Sequence, residues 1–207
     1  MGRGRFITLE GSEGAGKSTN IGVAERCLSA MGVDVVVTRE PGGTPLAEEI
    51  RSVLLSTREE AVDPLTETLL MFAARAQHLA KVVKPGLAAG RWVLCERFTD
   101  ATHAYQGGGR GLESGQIDAL AGLVHPGFEP DLTLYLDLPV EQALARISGR
   151  ALDRFERERL EFFERVRARY LELARANPRI RVIDAGRSPA EVAEEIEARL
   201  QDFRNAP

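Results

Sequence analysis

The sequence predicts an open α/β fold, a parallel sheet of five strands with helices on both faces. Three observations predict it. Short apolar runs alternate with longer stretches of helical period. Most of those runs are apolar on both faces, as strands covered on each side must be. The first run feeds a glycine-rich loop that opens a helix. A chain of 207 residues is enough for one well-buried domain, so residues 1–207 are expected to form a single one.

The elements follow in order. Phe6–Glu10 (FITLE) reads as the first strand. Helical period runs from Lys17 to about Ala30. Val33–Thr38 (VDVVVT) is a second apolar run. Leu65, Leu69, Phe72, Ala76, Leu79 and Val83 step by 4, 3, 4, 3, 4, which predicts a long helix that Pro85 limits. Arg91–Glu96 and Asp131–Leu138 are further strands, and Arg179–Asp184 is the last. A helix is expected from about Phe155 to Ala174. The short arginine-bearing segment before it, about 147–156, suits a mobile lid. In such folds the ligand lies outside the carboxyl ends of the strands, so the loops after Glu10, Thr38, Glu96, Asp137 and Asp184 carry the function.

Composition narrows the partners. Net charge is −4 and the pI is near 5.6, against the basic surface that a non-specific nucleic-acid binder needs. No apolar run approaches the roughly 18 residues of a membrane span, and MGRGRFITLE lacks the apolar core of a signal peptide. A cytoplasmic protein is expected. Cys27 and Cys95 lie far apart, with no metal-ligand spacing, and read as reduced thiols. The basic residues are nearly all arginine; lysine occurs only at Lys17, Lys81 and Lys84.

The loop is Gly11, Ser12, Glu13, Gly14, Ala15, Gly16, Lys17, Ser18 and Thr19. Gly11-x-x-x-x-Gly16-Lys17-Ser18 is a full phosphate-binding pattern between a strand and a helix. Glycines let backbone N–H groups converge on phosphate oxygens, and the helix N-terminus adds positive potential. Lys17 supplies a compact cation for the β- and γ-phosphates of a nucleoside triphosphate, and the Ser18 hydroxyl is a ligand for Mg²⁺. Glu13 is out of place in such a loop, because a carboxylate repels a triphosphate.

Two further stretches, TREPGGT (Thr38–Thr44) and ERFTDATHAYQGGGRG (Glu96–Gly111), follow the second and third of these strands. Together with GSEGAGKST, LLMFAARAQHL, FEPDLTLYLDL, LDRFE and VIDAG they resemble the thymidylate kinases, in unbroken order over about residues 5–200. The resemblance implies a P-loop nucleoside monophosphate kinase fold with a short lid. It implies transfer of the γ-phosphate of MgATP to dTMP, giving dTDP in dTTP synthesis, and a homodimer.

Residue roles follow from the same resemblance. Lys17, Glu13, Arg97 and Arg150 are implied in catalysis. Arg97 grips the dTMP phosphate, with Arg39, Glu40 and Arg51 nearby. Thr102 and Gln106 read the pyrimidine edge, and Tyr105 lines the sugar. Arg75 bonds the base, and Phe72 or Met71 covers it, since the family's Phe-to-Arg spacing of four is three here. Ser18 and Glu96 serve the metal, directly or through water; the family's usual Asp-Arg pair is Glu96-Arg97. The phosphate loop lacks arginine, so a lid arginine, Arg146, Arg150 or Arg154, is expected on the transferring phosphate. Asp184-Ala185-Gly186 falls where the family encloses adenine. Glu13 then points toward the acceptor, where a sugar hydroxyl or an arginine suits an acceptor-only group. Another small-acceptor P-loop kinase, or a non-catalytic nucleotide switch, remains an alternative; a switch needs no acceptor pocket.

Overall fold

The computed structural model describes residues 4–148 and 153–206. Among them, strands β1 (Phe6–Gly11), β2 (Val35–Arg39), β3 (Trp92–Glu96), β4 (Leu132–Asp137) and β5 (Ile180–Asp184) form one parallel sheet in the order β2-β3-β1-β4-β5. β1 is central and buried along its whole length. The register sets Arg39 beside Glu96, Leu9 beside Glu96 and Gly11 beside Leu136, so the loops after β1, β2 and β3 leave the sheet together. The strand order reverses beside β1, which places a ligand crevice there. The expectation of strands apolar on both faces holds for the centre and not for the edges. Val37 of β2 and Val182 of β5 are exposed, because an edge strand has only partial cover.

Helix α1 (Lys17–Ala30) leaves the glycine loop and packs beside α9 (Pro189–Asn205) on one face of the sheet. Ile7, Leu9, Leu28, Leu134, Leu136 and Ile196 fill that layer. Alternation turns Phe6, Thr8 and Glu10 to the opposite face. There Tyr105, Tyr135, Phe162, Phe163, Val166 and Tyr170 form an aromatic layer under helix α8 (Leu160–Ala176). α8 begins later than Phe155 because the Asp153 side chain accepts the amides of Phe155 and Glu156, both at 2.9 Å, and caps a separate turn.

The acceptor-side helices carry the other differences. Helix α2 (Pro45–Leu55) is capped by Thr44 and α3 (Pro64–His78) by Asp63, each with proline at its start. α3 does not end near Pro85. It continues through a π-helical turn, Leu79–Val83, into α4 (Lys84–Ala88). In that wide turn the Lys84 N–H bonds the Leu79 carbonyl, five residues back. The π-turn precedes the proline that an unbroken α-helix would not admit without losing a bond. A second π-turn, His103–Gly109, follows the short helix α5 (Thr99–Thr102). Gly107–Gly109 close this π-turn. A Cβ on Gly108 would lie 2.8 Å from Arg169 Cβ, and one on Gly109 2.4 Å from the Phe162 ring, so these glycines admit α8. Helices α6 (Ser114–Val124) and α7 (Val140–Ile147) complete the described elements.

Candidate active site

A cavity of about 480 Å³ opens at the carboxyl ends of β1, β2 and β3. One wall is the glycine loop. Gly14 and Gly16 adopt φ of 75° and 86°, and a Cβ on Gly14 would lie 2.3 Å from the Ala143 carbonyl oxygen, so no other residue fits there. No side chain caps α1 and no acid lies in its first turn, which leaves its N-terminal amides for an anion. Lys17 Nζ donates to the Ser12 carbonyl at 2.8 Å. Burial and the nearby Arg97 lower its ammonium to about 8, against the pull of Glu13, Glu96 and Glu10. Ser18 and Glu96 also line the cavity.

The facing wall is made of paired charges. Glu13 accepts from Arg97 Nη2 at 2.8 Å and from the Tyr105 hydroxyl at 2.6 Å, while the Arg97 guanidinium sits 4.7 Å over the Tyr105 ring. Burial would raise the Glu13 carboxyl, but Arg97, Lys17 and Tyr105 outweigh it and hold it below the usual range. Deeper in, Glu40 accepts from Arg75 Nε at 2.7 Å and from His78 Nδ1 at 2.9 Å. Its carboxyl is likewise lowered: burial opposes, and Arg75 and His78 prevail. His78 Nε2 lies 2.7 Å from Thr38 Oγ1. A Cβ on Gly43 would lie 2.6 Å from the His78 ring, so the second glycine of REPGGT makes room for the imidazole. Arg75 Nη2 donates to Thr102 Oγ1 at 3.0 Å, and Arg75 Nη1, buried at the cavity edge, has no hydrogen-bond partner among the described residues.

A family model described as thymidylate kinase matches residues 9–196. The chain belongs to the thymidylate kinase family. It is 57% identical over 206 residues to the thymidylate kinase of Chromohalobacter salexigens, covering 98% of this chain and 97% of that one. It is 59% identical over 191 residues to that of Pseudomonas syringae pv. syringae, covering 91% of each. Among solved structures, thymidylate kinase from Ehrlichia chaffeensis superposes with a TM-score of 0.77 at 36% identity, over 96% of this chain and 99% of that one.

Within this thymidylate kinase fold most of the expected site residues meet. Glu13, Gly14, Gly16, Lys17, Ser18, Thr19, Arg39, Glu40, Arg51, Arg75, Glu96, Arg97, Thr102, Tyr105 and Gln106 line the one cavity, while Gly11, Ser12 and Ala15 lie buried behind it. Arg39 is half exposed and paired with Glu48 at 3.0 Å; Arg51 donates to the Pro41 carbonyl at 3.0 Å. Phe72 does not reach the cavity. It is buried against His125, with Arg75 4.7 Å over its ring, and Met71 lines the cavity instead. Of the apolar stripe read from the sequence, Leu65, Leu69 and Ala76 are exposed; Phe72 packs instead on a buried face it shares with Glu67, Thr68, Ala74, Arg75 and His78, one helical step from Met71. The Gln106 amide donates to the buried Glu67 at 2.7 Å. Arg154 is turned away from the cavity, with Nη2 2.6 Å from Glu67 and Nε donating to the Leu54 carbonyl at 2.8 Å. Arg146 lines the cavity and donates to the Ala185 carbonyl at 3.1 Å and, more weakly, to that of Gly14 at 3.4 Å. Arg150 lies outside the described residues.

Sequence reasoning missed three residues around the site. Glu67 gathers Gln106, Arg110 and Arg154 from the buried, largely polar face of α3, which apolar periodicity does not mark. His78 lies one turn after Arg75 on that helix. Glu10 is a charge ending an otherwise apolar central strand.

Proposed function

We infer that this chain carries out the reaction of its family, transfer of the γ-phosphate of ATP to dTMP, giving dTDP and ADP, in the cavity beside the phosphate loop. The observation that supports it best is Glu13. Its carboxylate is held by Arg97 and Tyr105 across the cavity, so one cavity carries a triphosphate loop and, against it, a cationic and hydroxyl-bearing wall for a second ligand.

The loop amides and Lys17 bind the donor phosphates. Arg97 holds the acceptor phosphate, with Arg39 and Arg51 at the rim. Tyr105 and Glu13 face the deoxyribose; Arg75 and Thr102 present donor and acceptor groups to the pyrimidine edge, and Met71 covers its face. An acceptor phosphate oxygen attacks the γ-phosphorus as the bond to the β–γ bridging oxygen breaks. The residues position both partners in line and neutralise the equatorial charge. Arg146 or Arg150 supplies the lid cation in a single kinase domain whose lid spans about 147–156.

Hard oxygen donors suit Mg²⁺, which keeps several waters and takes few protein ligands. Ser18 and Glu96 fit that habit, and among the described residues no group of three or more His, Cys, Asp or Glu gathers for a tighter metal. When bound, the ion neutralises phosphate charge. No helix of the described residues is long and apolar enough to cross a membrane, in keeping with a cytoplasmic kinase. Leu46 and Val53 of α2, Leu65 and Leu69 of α3, and Leu123 of α6 are exposed, and we read that surface as the face of a homodimer.

The test is purified protein with MgATP and a panel of nucleoside monophosphates, products separated by charge. Strong ADP formation is expected with dTMP and little with AMP, CMP or GMP. ATP turnover indifferent to dTMP would sink the reading.

A further inference from the structure

We propose that Glu10 is a positioning residue for the acceptor phosphate: its carboxyl accepts the Phe98 amide and so holds Arg97 in the left-handed backbone conformation that turns the guanidinium into the cavity. The proposal rests on the reading of Arg97 as the acceptor-phosphate grip.

Arg97 has a φ of 71° and is, among the described residues, the one non-glycine residue in the left-handed region. A residue with a Cβ occupies that region at a cost, and holds it only where its surroundings impose it. Here the end of β1 imposes it from both sides. The Arg97 N–H donates to the Leu9 carbonyl at 3.1 Å, and the Phe98 N–H donates to Glu10 Oε1 at 2.7 Å. The peptide groups on either side of the Arg97 α-carbon are thus tied to two successive residues of the central strand.

Glu10 has no other visible task. It is fully buried and does not line the cavity, so it touches neither substrate. Its second oxygen accepts the Tyr170 hydroxyl at 2.7 Å, and Tyr170 is itself stacked on Tyr135 with ring centroids 4.7 Å apart. The carboxyl is therefore fixed at both oxygens. Asp100 of α5, Arg97 after β3, Lys17 at the start of α1, Tyr135 of β4, Tyr170 of α8, Cys95 of β3 and Arg179 ahead of β5 all face it electrostatically. Burial, and then the charge of Asp100, push the carboxyl up to about 8 against Arg97, Tyr170 and the Phe98 amide. The oxygen facing Phe98 accepts in either protonation state. Geometry rather than charge holds Arg97, and a glutamine amide can replace the acid.

The experiment compares dTMP with thymidine, which lacks the phosphate, by titration calorimetry on the full chain. Glu10→Ala is expected to weaken dTMP by about tenfold or more while thymidine stays within about twofold. Glu10→Gln is expected to keep both within about threefold of the unaltered protein, and KM for ATP should hold in both variants. If Glu10→Ala fails to fold, Tyr170→Phe, which frees the second oxygen, should give a smaller loss of about threefold confined to dTMP. Equal weakening of dTMP and thymidine, or none, in the variant that folds overturns the role of Glu10. If the unaltered protein binds dTMP no better than thymidine, the acceptor reading itself fails and this proposal falls with it.

Discussion

The two walls of the cavity are built differently. The donor wall is backbone: three left-handed or extended glycines, an uncapped helix N-terminus, and a lysine whose hydrogen-bond partner is a carbonyl of its own loop. The acceptor wall is side chain. Glu13–Arg97–Tyr105 and Thr38–His78–Glu40–Arg75–Thr102 are chains of buried and half-buried partners drawn from four segments of the sequence. Backbone recognises phosphate, which every nucleotide shares. On the proposed reading, side chains whose positions are fixed before the ligand arrives suit one base and one sugar. The cost is that each acceptor residue also holds the fold.

The sharpest break between the walls should come from Lys17→Met. We expect kcat to fall about a thousandfold, as for loss of a main transition-state cation. The melting temperature at pH 7 should not fall. The sign follows from the lowered Lys17 value: an ammonium depressed from 10.5 to about 8 is a charge that folding disfavours at pH 7, and methionine removes it. Arg75→Ala should behave oppositely, lowering kcat/KM for dTMP about a hundredfold and also costing about 3 kcal/mol in denaturant unfolding, because buried Glu40 loses its guanidinium and keeps only His78. An Arg75 variant of normal stability would erase the distinction.

Glu13→Ala should cut kcat/KM for dTMP about tenfold and leave ATP affinity nearly unchanged, since the carboxylate serves the far wall. Smaller still is a proton count. Triphosphate beside Lys17 favours its charged form, so ATP binding near pH 8.5 should take up a fraction of a proton, read from calorimetry in buffers of differing ionisation enthalpy. Lys17→Met should abolish the uptake. Least of all, Met71→Ala should raise KM for dTMP by about threefold.

The same contrast explains what could be read from the sequence. The donor loop is contiguous, so nine residues spell it out with its strand and helix. The strands were legible within about two residues because burial on both faces leaves an apolar run. The acceptor wall was legible only in part. Arg97 and Thr102 could be placed through the resemblance carried by Glu96–Gly111, the stretch that follows the third strand. Glu40 with His78 could not, because their contact joins residues 38 apart. The choice between Met71 and Phe72 turns on one helical step, 100° of rotation, which periodicity alone does not resolve. Gly108 and Gly109 serve as a packing surface for α8, which the sequence does not show because glycine suits turns and close approaches alike.

The π-turn at Leu79–Val83 bears on chain length. A π-turn carries one residue more than the α-helical turn it replaces. A relative lacking a residue there would regain regular helix without disturbing Met71, Arg75 or His78, which all precede it. It would also bring the proline ring of position 85 into the regular ladder, where it does not fit. A deletion in this short window should therefore travel with loss of Pro85. In comparisons of related chains, a gap in the window with some other residue at 85 is a paired event, one change making room for the other.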